Sequence, residues 1–405
     1  MNIRRVHNNE LQMAVELAEQ VFCATGERYM EHSFPTLFRP GISHSYGAFT
    51  EEGQLVSFMG LVPVQVSSGK HILSAFSIGA VCTHPDYRGQ RLAGQLLAQC
   101  TQHAIDAGAS LLFISGDRSL YTRAGSQFFG HIHQTTISHD VSSQWQSSNL
   151  WDIRPMKAQD IFAVHALLQR PSAHINMSLS EMQLMIHAEA MAHVNRQQQH
   201  ILVAATPNGI AAFVVLSIPM DTPNAVNSSD STDAAIPPHP ALSTTEQSST
   251  SAAAHTNEPR RGSVIEWAGR PDAVRELWGE AICRFQLDSL SATIPWQEQQ
   301  MLTTAQEAGV TVSAVRNGGT MMIINSEALL AQTGLLHGLA ENNDLQITNN
   351  PDNSYTLETP QNTYVIQDDQ ELCSLLFNPY TEVLSQHLTG FPTVALPYMY
   401  GLYFI

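Results

Sequence analysis

The sequence predicts a layered, mixed α/β protein. Three observations carry that expectation. Apolar strand-like runs alternate with helix-spaced segments through residues 1–148. A second alternation starts near Ile153. Hydrophobic residues make up 43% of the 405 and charged residues only 14%, the balance of a chain that folds around a core.

The elements follow in order. Residues 10–23 place Leu11, Ala14, Val15, Leu17, Ala18, Val21 and Phe22 on one helix face. Residues 46–49 and 54–66 read as strands joined by the turn Glu51-Glu52-Gly53, and 72–83 as a third strand. Residues 92–107 put Leu92, Leu96, Leu97, Cys100 and Ala104 on one helix face, and Gly108 stops that helix. A short buried strand follows at 110–115.

The second alternation predicts helices at 158–169, 180–192, 272–285 and 296–308, and strands at 201–205, 210–218 and 263–267. Beyond Gly319 the expected order is a strand at 321–325, a helix at 326–332, polar strands at 345–348, 354–358 and 363–366, and a helix at 370–377. Three units result, 1–148, 149–318 and 319–405. Residues from about 219 to 262 are rich in Ser, Thr, Ala, Asn and Pro and lack aromatics. That composition cannot offset its ordering entropy, so a mobile surface insertion is expected there.

Nineteen basic against 36 acidic side chains leave a formal charge of -17. That argues against a nucleic-acid partner, which needs basic stripes, and against an anionic membrane surface. A cationic small substrate is compatible. No leader-like apolar segment follows the first arginines, and no run approaches a membrane span of ~18 residues. Five cysteines without framework spacing read as reduced thiols of a cytoplasmic protein, with no zinc-ligand pair.

The informative window is 77–125. An apolar strand ends at Thr83, and the turn His84-Pro85-Asp86-Tyr87-Arg88-Gly89 leads to a helix whose first turn holds Ala93 and Gly94. Small residues at a helix N-terminus let main-chain N–H groups approach a phosphate, and the dipole favours its charge. Arg88 adds a guanidinium. No Walker or dinucleotide glycine pattern is present.

Residues 81–97 resemble motif A of the Gcn5-related N-acetyltransferases, the GNAT family. Arg88, Gly89, Gln90, Arg91, Leu92 and Ala93 fall on its six loop positions, with Arg91 where the family usually has glycine. The resemblance implies a GNAT-type twisted mixed sheet with flanking helices, and acetyl-CoA as co-substrate, without a metal. It implies that Val81 and Thr83 hold the acetyl carbonyl and pantetheine through their main chain, and that Gly94 closes the cradle. Tyr121 matches the tyrosine near the thioester sulfur, where a phenol can donate to the leaving thiolate. A core tyrosine with a satisfied hydroxyl is the other reading.

The three-part layout is similar to the Eis-type (enhanced intracellular survival) branch, on the strength of residues 319–325, 368–377 and the apolar tail. That likeness implies a degenerate GNAT-like unit at 149–318 and a small α+β, sterol-carrier-protein-like unit at 319–405. It further implies a homo-oligomer, broad amine acceptors, and Ile405 as the residue whose carboxyl group takes the acceptor's proton. Phe404 stands where that branch has an acidic residue. The alternative for Ile405 is an edge strand meeting solvent.

Other candidates stay open. His84, Glu27 and Glu31 could serve as a base or attract a cation, or be ordinary loop residues. His131 and His133 would share one strand face and are expected to be exposed. The expected function is acetyl transfer from acetyl-CoA to a primary, cationic amine by direct attack. The alternatives are a CoA-binding sensor without turnover and a carrier of apolar ligands through the C-terminal unit.

Overall fold

The computed structural model describes all residues except 25, 42, 146–147, 221–258, 337–344, 383–390 and 392. β1 (Asn2–Arg5) and α1 (Leu11–Phe22) open the chain, with Leu11, Ala14, Val15, Leu17 and Ala18 turned inward as their spacing predicts. Two short helices follow, α2 (Met30–Ser33) and α3 (Pro35–Phe38). β2 (Tyr46–Phe49), β3 (Leu55–Ser68) and β4 (His71–Thr83) form an antiparallel meander. α4 (Leu92–Asp106) then crosses to β5 (Leu111–Ile114), which runs parallel to β4. α5 (Ser119–Thr122), β6 (His131–Ser138) and α6 (His139–Ser142) complete this stretch.

The next stretch repeats the plan. β7 (Asp152–Pro155), α7 (Ile161–Leu168), β8 (Ala173–Ile175), α8 (Leu179–Ala188) and α9 (Ala190–Val194) come first. The single helix expected at 180–192 is thus two, broken at Glu189, whose φ is +52°. β9 (Gln198–Thr206), β10 (Gly209–Ile218) and β11 (Arg261–Gly269) are an antiparallel meander. α10 (Pro271–Arg284) crosses to the parallel β12 (Ser289–Pro295). α11 (Gln299–Glu307) and β13 (Val312–Arg316) follow. The insertion expected from 219 to 262 lies outside the described residues over 221–258, and its last two residues belong to β11.

Side chains mark the repetition as well. Arg4 makes a two-pronged ion pair with Glu10, whose Oε2 also accepts the His7 N–H. Arg154 does the same with Asp160, whose Oδ2 accepts the Lys157 N–H. Each pair locks a strand to the helix after it. The guanidinium holds Glu10 down at about 2 and Asp160 below the usual carboxylate range.

The last stretch holds β14 (Thr320–Ile323), α12 (Ser326–Gln332), β15 (Gln346–Asn349), β16 (Tyr355–Glu358), β17 (Thr363–Ile366) and α13 (Asp369–Phe377). One seven-stranded sheet has the order β1-β2-β3-β4-β5-β14, with β8 also on β3. The other is β13-β6-β12-β11-β10-β9-β7, and β15-β16-β17 form a small third sheet. The sheets therefore exchange strands along the chain. β6 leaves the first stretch to pair with β12 and β13, and β14 returns from residue 320 to pair with β5. His131 and His133 are consequently not exposed. They lie on an inner strand against Tyr380, with His133 8% exposed.

Candidate active site

β4 and β5 pair through Ile78 and Ile114, and one further bond joins the Ser115 N–H to the Ile78 carbonyl. Beyond that, β4 runs on from Gly79 to Thr83 without β5. On the other side the β3 register skips between Phe58 and Gly60, leaving Ala80 and Val81 bulged, with Ala80 at φ +48°. A strand edge freed on one side and bulged on the other presents main-chain donors and acceptors to a ligand. Val81 is half-buried at that edge. Thr83 is more engaged than expected. Its carbonyl accepts from Arg88 Nε at 3.4 Å and its hydroxyl meets Ser57 Oγ at 2.7 Å.

The loop after β4 makes one turn of 3-10 helix over Pro85–Tyr87. Gly89 adopts φ +80°, a conformation open to glycine at little cost, and its α-carbon faces open space. Arg91 takes the N-cap position of α4 at φ +59°, with no side-chain cap. A family glycine suits that left-handed backbone, and Arg91 adopts it with its side chain exposed rather than packed into the cradle. The first N–H groups of α4, at Leu92, Ala93 and Gly94, have no acceptor within the helix. Arg88, Gly89 and Gln90 are exposed beside them, and a Cβ on Gly94 would meet only Leu120 at 3.9 Å. Open donors at a helix N-terminus next to a guanidinium fit a pyrophosphate.

Tyr121, on α5, is 5% exposed and packs with Ile78, Leu96 and Leu97, with Val81 against the same cluster. Among the described residues its hydroxyl makes no hydrogen bond. Burial pushes it up to about 12, so the phenol keeps its proton at neutral pH. The reading of Tyr121 as a core residue with a satisfied hydroxyl is thus half met: the ring is in the core and the hydroxyl is available.

Ile405 is 4% exposed. A Cβ placed on Gly79 would lie 2.5 Å from its carboxyl carbon and 2.7 Å from its oxygen. The Ile405 carboxyl group therefore lies against β4 where the two strands part. A cavity of about 10 Å³ there is lined by Ser77, Ile114, Ser115, Tyr400, Phe404 and Ile405, among others. Phe404 stacks edge-on with Phe34, which precedes α3, at 6.2 Å.

The other candidates stand apart. The His84 ring caps the 3-10 turn, accepting the Asp86 N–H at 3.3 Å and meeting Gln20. Glu27 and Glu31 are exposed, and Glu27 accepts the Ala24 N–H. Among the described residues no group of three or more His, Cys, Asp or Glu could hold a metal, and no helix is long and apolar enough to cross a membrane.

Sequence reasoning passed over Glu266. It is on β11, and its Oε2 accepts the Leu402 N–H at 3.2 Å. Burial raises it to about 7. Its place in a Val-Ile-Glu-Trp strand run was the available signal, since a lone acid between apolar neighbours needs a partner.

Residues 2–128 match the model of an acetyltransferase (GNAT) domain. With the mixed twisted sheets and flanking helices, this defines the class: the protein is an N-acetyltransferase. No curated protein matches the sequence. Among solved structures, a GCN5-related N-acetyltransferase from Anabaena variabilis superposes with a TM-score of 0.63 at 13% identity, over 98% of this chain and 100% of that one. A probable N-acyltransferase from Enterococcus faecalis gives 0.59 at 13%, over 90% and 84%. Eis1 from Mycobacterium abscessus gives 0.57 at 13%, over 93% and 89%. These three share the fold across nearly the whole chain.

Proposed function

We propose that the protein transfers an acetyl group from acetyl-CoA to a primary amine of a small, cationic acceptor by direct attack. The observation that supports this reading is a convergence in one cleft. A helix N-terminus with free donors, a splayed strand edge, the Tyr121 phenol and the Ile405 carboxyl group all border it. Arg88 and the N–H groups of residues 89–94 hold the pyrophosphate. The main chain at Val81 and Thr83 orients the acyl arm and polarises its carbonyl. The Ile405 carboxylate accepts the proton of the attacking amine. As the C–S bond breaks, Tyr121 donates its hydrogen bond to the departing sulfur. Holding the partners in line supplies much of the rate.

The same reading makes the reaction cytoplasmic, in an oligomer of the kind the Eis-type likeness implies, with residues 319–405 as a sterol-carrier-like unit. A panel of polyamines assayed for release of free CoA tests the transfer. Saturable release with at least one amine is expected. Tight acetyl-CoA binding with no release by any amine would instead identify a sensor.

A further inference from the structure

Counted from the last parallel pair of each sheet, the second stretch has a cleft of its own. The pairing of β11 with β12 ends at Ser263 and Ser291, as that of β4 with β5 ends at Ile78 and Ile114. Both inner strands bulge just beyond, with an extra residue at Ile265 in one and at Ala80 and Val81 in the other. Glu266 stands three residues past the last pair, as Val81 does in the first cleft. The position that offers main chain to an acyl group in one cleft carries a carboxyl side chain in the other.

The second cleft is unfit for a CoA. Pro271 removes an N–H from the start of α10, and the Asp272 carboxylate, paired with Arg270, accepts the Ala273 N–H. A carboxylate already occupies the place an anion would take. Trp267 Nε1 donates across the gap to the Thr293 carbonyl at 2.8 Å. What enters instead is the tail. Pro397, Tyr398 and Tyr403 help wall a cavity of about 70 Å³ with Glu266, Trp267 and Thr293. Tyr403 borders both this cavity and the small one at Ile405.

Other contacts from the second stretch hold the same segment. Gln297 donates to the Leu396 carbonyl at 3.1 Å, and Asn317 donates to the Pro397 carbonyl at 2.8 Å. Glu266 is the grip nearest Ile405. Gly401 permits it, because a Cβ there would lie 2.5 Å from Glu266 Oε2.

We propose that Glu266 is a positioning residue for acetyl transfer: from the second cleft it holds the Gly401–Leu402 backbone and so sets the Ile405 carboxyl group against Gly79 in the first. The proposal rests on the reading of Ile405 given above. The titratable groups facing the same cavity are Glu298, His174, Tyr398 and Tyr403, and no Lys or Arg lines it. Without a cation nearby, the Glu266 carboxyl loses its proton near pH 7 rather than near 4.5. The ionised form is the stronger acceptor for the Leu402 N–H. The grip therefore tightens as pH rises through about 7, and turnover rises with it.

The test compares Glu266→Ala, Glu266→Gln and the parent chain with an amine that supports turnover. Glu266→Ala should lower kcat roughly 10- to 100-fold, the scale of a small misplacement of a reacting group, while leaving acetyl-CoA affinity within about twofold. Glu266→Gln keeps an acceptor but cannot ionise. It should recover most of kcat and lose the limb of the pH profile near 7. A Glu266→Ala chain with parental kcat and pH profile overturns the proposal, as does a Gln variant no better than Ala. Should Glu266→Ala fail to fold, Gly401→Ala disturbs the same contact from the tail side, and parental kinetics there overturn it equally. Appending two glycines after Ile405 separates this proposal from the reading beneath it. An active extended chain overturns the Ile405 reading. An inactive extended chain beside a fully active Glu266→Ala overturns the positioning role alone.

Discussion

The cleft between β4 and β5 and the cleft between β11 and β12 start from the same strand geometry and diverge in the residues just past the last parallel pair. The first has Gly79, a bulge at Ala80 and Val81, and a glycine-bearing turn that leaves the α4 donors free. The second has Val264, Glu266 and Trp267, then a Pro-Asp helix start. Bulk and charge were added in one copy and omitted in the other. The difference teaches that a splayed pair of strands is a generic receptor for extended chain. Whether it takes an acyl arm or the protein's own tail depends on which groups line it.

The largest separation between the clefts should appear in chemistry. Tyr121→Phe is expected to lower kcat by ~10²–10⁴, with acetyl-CoA affinity nearly intact in calorimetry. Since the phenol is pushed up to about 12, no limb of the pH profile below that value should belong to it. A parental kcat would return Tyr121 to a packing role.

Binding should separate them next. Arg88→Ala is expected to weaken acetyl-CoA by roughly 1.5–3 kcal/mol, the range for a charged hydrogen bond. Arg270→Ala, at the corresponding helix start of the second cleft, should leave it unchanged. Equal losses would mean that both helix starts contact the nucleotide.

Packing comes third. Gly79→Ala puts a Cβ against the Ile405 carboxyl group and should cost ~1–3 kcal/mol in denaturant melts, together with much of the turnover. Stability and rate both unchanged would show the tail free to yield.

Acid should then treat the two copies alike. Glu10→Gln and Asp160→Asn should each cost about 1–2 kcal/mol at neutral pH, since each carboxylate binds a guanidinium and a backbone N–H. Glu10 is depressed in the folded state, so its contribution is complete above about 4.5 and fades as pH falls toward about 2. Thermal melts across that window should show the parent losing its advantage over Glu10→Gln. The smallest effect is Arg91→Gly, which relieves a left-handed backbone but frees the unfolded chain. A net gain of about 1 kcal/mol or less is expected.

Much of the first cleft was legible because its chemistry demands particular residue types at particular spacings. Gly89 must supply a positive φ, small residues must open α4, and a phenol must follow β5. The strand exchange was not legible. His131–Ser138 alternates well enough to pair with any sheet edge, and only the tertiary fold sends it to β12. β12 was missed because Ser289–Pro295 is half Ser, Thr and Pro, and it is the exposed-face residues that are polar. The repeat at Ile3-Arg4 with Glu10 and Ile153-Arg154 with Asp160 was present in the sequence, but its meaning depends on seeing both ion pairs. Glu266 becomes significant only once Leu402, 136 residues away, is placed on it.

The stoichiometry of acetyl-CoA binding tests most directly whether one cleft accepts the nucleotide while its copy holds the tail. Calorimetry on the intact chain should give a single site per chain, abolished or strongly weakened in Arg88→Ala and unaltered in Arg270→Ala. Two sites per chain, or a site that survives Arg88→Ala and disappears in Arg270→Ala, would contradict it.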